Sequence, residues 1–425
     1  MHSFLQSPSA LRARRSALVC GSLLTIVFGI PVPAQQPPAI KSALDHIKAD
    51  NAWTLDQQVS ICEIAAPPFK EQQRAAEMKR RFESLGFRNV RIDSVGNVIA
   101  ERPGTGRGPT VVFSAHLDTV FPEGTDVKVK REGTMFRAPG IGDDCRGLTV
   151  LLSVAKAMHA ANVQTNGTIL FVANVGEEGA GNLRGMRYLF KNPPAKIDYL
   201  VAVDGIGLDI TNRAVGSNRY KVSFKGPGGH SYGAFGMPSP IHALGRAIAR
   251  ISDIQVPLTP KTTFNVGIVN GGTSVNTISP LGTMEVDLRS ESPDELAKLD
   301  AKFRRAVADA LAEENARWPQ SKVRITVDVA SMGVRPAAAP PDTSHIVRAA
   351  QAAAASLGFT PHLGTSSTDS NIPMSLGIPA ITIDGGGNGQ GAHALSEWYD
   401  DGDKGWLGPQ WALLIVTSLA GAKGG

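Results

Sequence analysis

Short apolar runs separated by a helical stretch constrain this chain more than any other feature. Thr110-Val-Val-Phe113 is followed by a helix-patterned segment from Gly147 to Ala161 and then by the apolar run Thr168-Ile-Leu-Phe-Val-Ala-Asn-Val175. Strand, helix, strand in that order predicts a mostly parallel sheet with helices on both faces, since parallel neighbours need a crossover and each sheet face must be covered. In sheets of this kind ligands gather outside the carboxyl ends of the strands. Residues able to do chemistry stand there: His116 and Asp118 in Ser114-Ala-His-Leu-Asp-Thr119, Glu177 and Glu178 after Val175, and Asp204 after Val203. If the run through Phe113 is a strand, residues 116 and 118 leave it on one face.

The 425 residues exceed the comfortable size of one hydrophobic core, and 42% of them are hydrophobic, enough for two. Near the start, Ile40, Ala43, Leu44 and Ile47 fit one helical face. A further helix over Lys70 to Leu85 stops at Gly86, after the break Ala65-Ala-Pro-Pro-Phe69. From about 215 to 331 the pattern changes to strand (Tyr220 to Phe224), helix (Ile241 to Ile251), strand (Thr262 to Val269), strand (Thr283 to Leu288), helix (Asp294 to Ala316) and strand (Val323 to Val329). That order predicts a ferredoxin-like α+β module, a four-stranded sheet with two helices on one face, inserted into the first domain. Residues 40–214 and 332–425 are then one domain and 215–331 another. Polar motifs resume only after the insertion, in Gly364-Thr-Ser-Ser-Thr-Asp369-Ser-Asn371 and Gly391-Ala-His393.

Residues 1–34 read as a signal peptide: Arg12, Arg14 and Arg15 precede the uncharged Ser16 to Val32, with Pro33-Ala34 at the expected cleavage point. The run holds Gly29 and Pro31 and is short for a bilayer span, so the expectation is a periplasmic or secreted protein with no membrane attachment after cleavage. Arg14-Arg15 fits twin-arginine export as well as the general secretory route. The net charge of +5 includes the three leader arginines, which have no acidic partner, and no basic run implies nucleic acid. Cys20 belongs to the leader, leaving Cys62 and Cys145, whose pairing the sequence leaves open.

Zinc takes imidazole nitrogen and carboxylate oxygen, and two zinc ions a few ångströms apart need a bridging carboxylate plus terminal ligands for each. The set at the strand ends supplies these: Asp143 from Gly140-Ile-Gly-Asp143-Asp144 as bridge, His116 and Asp204 for one ion, Glu178 and His393 for the other. Of two adjacent glutamates only one can point at a given ion, so Glu177 is left to face the water as general base. Asp118 is assigned to accept the other ring N–H of His116 and fix its tautomer, with direct ligation as the alternative. Each piece alone is a weak signal, because Asp-Asp near glycine usually marks a turn and Glu-Glu a solvated loop. Their joint placement at the ends of strands in one sheet is what argues for a site.

The ordered set of Ser114-Ala-His116-Leu-Asp118-Thr119, Gly140-Ile-Gly-Asp143-Asp144, Glu177-Glu178, Asp204, Gly228-Gly-His230-Ser231 and Gly391-Ala-His393 resembles the dizinc peptidases grouped with peptidase T, glutamate carboxypeptidase, aminoacylase and succinyl-diaminopimelate desuccinylase. The resemblance covers nearly everything from Ile40 onward. It implies two Zn²⁺ per chain, with Co²⁺ or Mn²⁺ as substitutes, and it selects Asp143 rather than Asp144 as bridge. It implies a lid and dimerisation role for the insertion, in a homodimer. His230 would there reach the partner subunit's site to hold the oxyanion, where the plainer alternative is a turn histidine. Asn276 would contact the scissile carbonyl, and Arg289 would either grip a substrate carboxylate or serve as a salt-bridged strand residue. Where the family commonly has lysine after the acidic pair, this chain has Cys145-Arg146, and Cys145 is either a soft ligand or a small packing residue. The implied substrate is a small peptide or an N-acyl amino acid. Asp204 inclines the reading to peptidase over deacylase, and a silent binding protein or a lidless aminopeptidase on similar ligands are the other classes.

Overall fold

A computed structural model describes residues 37–423, so the expected signal peptide lies outside the described residues. An 8-stranded sheet forms the centre of the molecule. Its order is Val90–Ile92, Val98–Arg102, Ile169–Asn174, Val111–His116, Tyr199–Val203, Ala380–Ile383, Ile210–Ala214, Leu363–Ser366. The four middle strands run parallel. Val98–Arg102 and Ile210–Ala214 flank them antiparallel. The result is a mixed α/β fold with a large, mostly parallel sheet, as the alternation predicts.

Burial explains why these segments are strands. Val111–His116 and Ile169–Asn174 are buried at every residue, as both faces of a central parallel strand must be. On one face Ala115, Phe113, Phe171, Ala173 and Val201 pack under the helices Pro38–Ala49, Gln72–Ser84, Cys145–Ala160, His345–Ser356 and Leu407–Leu419. On the other, Val112, Val172, Leu200 and Ala202 meet Arg184–Lys191 and Asn371–Ser375 through Met186, Leu189 and Ile372. The helix Cys145–Ala160 starts at Asp144, whose carboxylate accepts the Gly147 N–H at 2.9 Å, the usual device for an orphan donor at a helix start.

A second, 4-stranded sheet has the order Thr262–Gly271, Leu281–Ser290, Gly216–Lys225, Thr326–Arg335, antiparallel throughout. The helices Pro240–Ser252 and Pro293–Arg317 contribute Ala243, Leu244, Leu299, Phe303 and Val307 to a buried cluster with Val222, Phe224, Met284 and Leu288. These strands run longer than the apolar runs from which they are predicted, because ladder pairing continues past the buried residues. The last strand starts three residues after Val323 and runs on to Arg335, six residues beyond the predicted end. A small sheet of Lys130–Glu132, Met135–Arg137, Asn388–Gln390 and Trp398–Asp400 has no counterpart in the sequence reading. Its strands are three residues long and rich in polar side chains, so they carry no apolar signal. Among the described residues no helix is long and apolar enough to cross a membrane.

Candidate metal centre

His116 ends its strand, and Glu177–Glu178 and Asp204 follow the ends of the two strands beside it. Asp143 enters from the loop before the helix Cys145–Ala160, and the Asp143–Asp144 peptide bond is cis. His393 comes from a loop about 250 residues further along, with a left-handed φ of 68°. These segments converge. His116 Nε2 is 3.0 Å from Asp143 Oδ1 and 3.9 Å from Asp204 Oδ1. His393 Nε2 is 3.1 Å from Asp143 Oδ2 and 3.0 Å from Glu178 Oε1. Asp143 thus presents one carboxylate oxygen to each imidazole.

The donor set fits a pair of divalent cations. His116, Asp143 and Asp204 offer ligand atoms within 4.8 Å of one another, as do Asp143, Glu178 and His393, so two triads share one carboxylate. His116 Nε2 and Asp143 Oδ1 are buried and, though 3.0 Å apart, make no well-aligned hydrogen bond, which is costly for buried polar atoms. Nitrogen and carboxylate oxygen are the donors zinc-type ions accept.

The electrostatics agree with that fit. Burial opposes charge on His116, yet Asp144, Asp143 and Asp204 raise its pKa well above the usual value. Asp143 and Glu178 push His393 up to about 10. Burial raises Glu178 and drives Glu177 well above the ordinary carboxyl range, with Arg335 pulling Glu177 back. Imidazoles loaded with protons by the carboxylates beside them would lose those protons to solvent as a cation takes their place.

Asp118 departs from its expected contact. The ring Nδ1 of His116 stands 3.0 Å from the Asp118 backbone carbonyl, while the nearest Asp118 carboxylate oxygen is 3.8 Å away. The carboxylate instead accepts the backbone N–H of Glu177 at 3.1 Å and of Glu178 at 2.9 Å. The strand ends at His116, the chain turns, and two buried N–H groups of the neighbouring loop claim the acid. The carbonyl still engages Nδ1, leaving Nε2 to face Asp143.

A cavity of ≈ 500 Å³ opens on the cluster, lined by Asp143, Glu177, Glu178, Asp204 and His393 together with Arg219, Arg289 and Arg335. Asp287 lies between two of these arginines, its oxygens 3.1 Å from Arg219 Nε and 2.6 Å from Arg289 Nε. His230 and Asn276 do not reach this cavity. Both are exposed, on or beside the short ladder pairing Gly229–His230 with Thr277–Ile278. The His230 ring accepts from the Gly233 N–H at 3.2 Å, and the Asn276 amide oxygen accepts from the Ser274 hydroxyl at 2.7 Å. Cys145 is a buried free thiol beside the buried free thiol of Cys62.

Residues 112–405 match the family described as Peptidase family M20/M25/M40. The chain belongs to that family. The uncharacterized protein YqjE of Bacillus subtilis (strain 168) is 27% identical over 347 residues, covering 77% of this M20 chain and 89% of that protein. A tripeptidase from Staphylococcus aureus superimposes with a TM-score of 0.72 at 22% identity, over 86% of this chain and 98% of that one. The YXEP protein of Bacillus subtilis, a dinuclear metal binding peptidase from the M20 family, superimposes with a TM-score of 0.66 at 19% identity, over 88% and 99%. The chain is therefore a hydrolase of a family of dinuclear-metal enzymes, with a cluster suited to such a centre.

Arg335 and Arg219 of the M20 site, and Glu397 behind it, escape the sequence reading. Arg335, buried at the end of the strand Thr326–Arg335, places Nη1 2.9 Å from Glu177 Oε1 and 3.1 Å from the Ser367 hydroxyl, with Nη2 on the Glu177 carbonyl. The available signal was a lone cation closing an alternating strand; its partner lies 158 positions earlier in the chain.

Proposed function

We propose that this M20 chain is an exported dizinc peptidase that hydrolyses an amide bond of small peptides carrying a carboxylate close to the scissile bond. One observation carries the reading: a cavity lined both by Glu177 and members of the two ligand triads and by three guanidinium groups. Similarity to a tripeptidase supports small peptides over long ones. The leader of residues 1–34 supports export.

Two bound cations would supply a Lewis acid for the carbonyl and lower the pKa of an attacking water. His116, Asp143 and Asp204 would hold one, and Asp143, Glu178 and His393 the other. Asp118 fixes the backbone of Glu177 and Glu178 so that adjacent carboxylates take different tasks. Arg335 engages Oε1 of Glu177, leaving Oε2 to take a proton from water and return it to the departing nitrogen. Arg289 and Arg219 each spend Nε on Asp287, and their remaining N–H groups suit a substrate carboxylate, for which the planar fork is shaped. Residues 215–331 we read as a lid and dimerisation module, with His230 and Asn276 acting on the site of a second copy. Their exposure, and that of Tyr232 at 89% and Phe235 at 78% beside them, supports this reading.

The test is a panel of dipeptides, tripeptides and N-acyl amino acids, assayed on zinc-loaded protein with and without a chelator. Hydrolysis of the peptides that chelator abolishes and zinc restores is the expected result. Release of amino acid from the N-acyl compounds alone would make the protein a deacylase, and turnover that survives complete metal removal would refute the mechanism.

A further inference from the structure

The two ends of the candidate centre are joined by a buried carboxylate that coordinates nothing. Glu397 is 1% exposed, four residues after His393. Its Oε2 accepts the backbone N–H of Gly140 at 2.6 Å, and its Oε1 accepts those of Gly142 at 2.8 Å and Asp143 at 2.9 Å. Three N–H donors of one loop therefore converge on a single side chain, an arrangement that favours an anion. The loop is also held from its other side, by the Cys145 N–H on Gly140 O at 3.2 Å, the Gln58 amide on Ile141 O at 2.8 Å and the fully buried Ile141 side chain, so what Glu397 adds is the tie toward the histidine; Gly140 sits at a φ of 79°. At Gly142 a Cβ would come within 2.1 Å of Ile206 Cδ1 and 3.1 Å of Glu397 Oε1, so a larger residue there would have to displace the Ile206 side chain beside the clamp. On its other side Glu397 is tied to the histidine loop, its N–H donating to Ala394 O at 3.1 Å and the Ala394 N–H donating to Gly391 O at 2.8 Å.

We propose that Glu397 is a positioning residue that sets the spacing of Asp143 and His393 and thereby the affinity of the cation these two share with Glu178. The inference rests on the dinuclear reading of the site. Without the clamp, the tie between this loop and a histidine about 250 residues away is lost, the ion itself would have to fix their spacing, and that ordering entropy would be subtracted from binding. The ion held by His116, Asp143 and Asp204 depends less on it, because His116 and Asp204 are anchored directly to the strands Val111–His116 and Tyr199–Val203. A purely structural glutamate would weaken the fold or both ions alike; a positioning one weakens a single ion.

Glu397→Gln replaces one acceptor oxygen with an NH₂ that faces a backbone N–H. Chelator-competition titration with Zn²⁺ should then show one ion per chain bound as in the parent protein and the other about 10–100-fold more weakly, the range seen when groups that orient ligands are removed. The kcat at limiting zinc should fall with KM little changed, and excess zinc should restore it. Two ions bound with parental affinity, or both weakened equally, would overturn the proposal. If Glu397→Gln fails to fold, Glu397→Asp decides: it keeps the charge but shortens the reach, and selective weakening of one ion supports the clamp while unchanged affinity refutes it. The parent titration separates the two readings, since failure of the unaltered protein to take up a pair of ions would sink the dinuclear centre itself, and Glu397's role with it.

Discussion

The two larger sheets solve opposite problems. The central sheet buries both faces, and its middle strands show no exposed residue from Val111 to His116 or from Ile169 to Asn174. The four-stranded sheet covers one face with two helices and leaves the other open, so Thr326–Arg335 alternates in burial and Thr262–Gly271 is largely exposed. Short parallel strands locked from both sides deliver imidazole and carboxylate to one rim with little freedom to move. Long antiparallel strands with a solvated side deliver guanidinium: Arg219, Arg289 and Arg335 all come from that sheet. One layer gathers the imidazole and carboxylate cluster, and the other brings guanidinium groups to the same cavity.

The sharpest way to break this contrast is at a buried contact between the two parts, Glu177 with Arg335. Glu177→Gln keeps an acceptor for the guanidinium but removes the base, so peptide turnover should fall by about 10²–10⁴-fold while metal analysis still finds two ions per chain. Retained turnover would remove Glu177 from the proton transfer.

Core truncations come next. Phe171, at 5.7 Å centroid separation from Phe113, and Phe303, stacked at 5.1 Å on Tyr220, are both fully buried. Either one changed to alanine should cost about 3–5 kcal/mol in denaturant unfolding. Only Phe171→Ala should also weaken metal binding; equal metal loss in Phe303→Ala would show that the layers do not divide the work. Arg289→Ala should raise KM for carboxylate-bearing peptides by about 10–100-fold, as expected for about 1.5–3 kcal/mol of charged hydrogen bonding, with metal content unchanged.

The smallest effect lies on the surface of the helix Gln72–Ser84. Arg80, and then Arg81, hold Glu77 down to about 2 against the opposing effect of burial. A depressed carboxyl pKa stabilises the fold above the unfolded value of about 4.3, and that contribution disappears as pH falls through about 2. Glu77→Gln should therefore lose up to about 1 kcal/mol at pH 7. The difference from the parent should close in thermal unfolding toward pH 2, and neither metal binding nor turnover should change.

What could be read from the residues follows from where the signal lives. His116, Glu177, Glu178 and Asp204 stand beside apolar runs, so their convergence at a sheet rim follows from the alternation of strand and helix. Asp118 was legible as a neighbour of His116 but not as the acceptor of two N–H groups in another loop, because nothing local in its sequence records who competes for it. Arg335 and Glu397 were illegible for the same reason at longer range: their partners lie 158 and more than 250 positions away. His230 and Asn276 carry a family-like pattern, yet in a single chain they point to solvent. The inserted sheet was visible through its apolar periods, and its strand ends were not, since pairing there continues through exposed residues.

The positions of residues 116 and 393 bear on how such a molecule comes into being. Nearly two-thirds of the polypeptide separates them. A chain interrupted in synthesis before residue 393 would hold an incomplete cage, so the cluster cannot close until most of the polypeptide has been made.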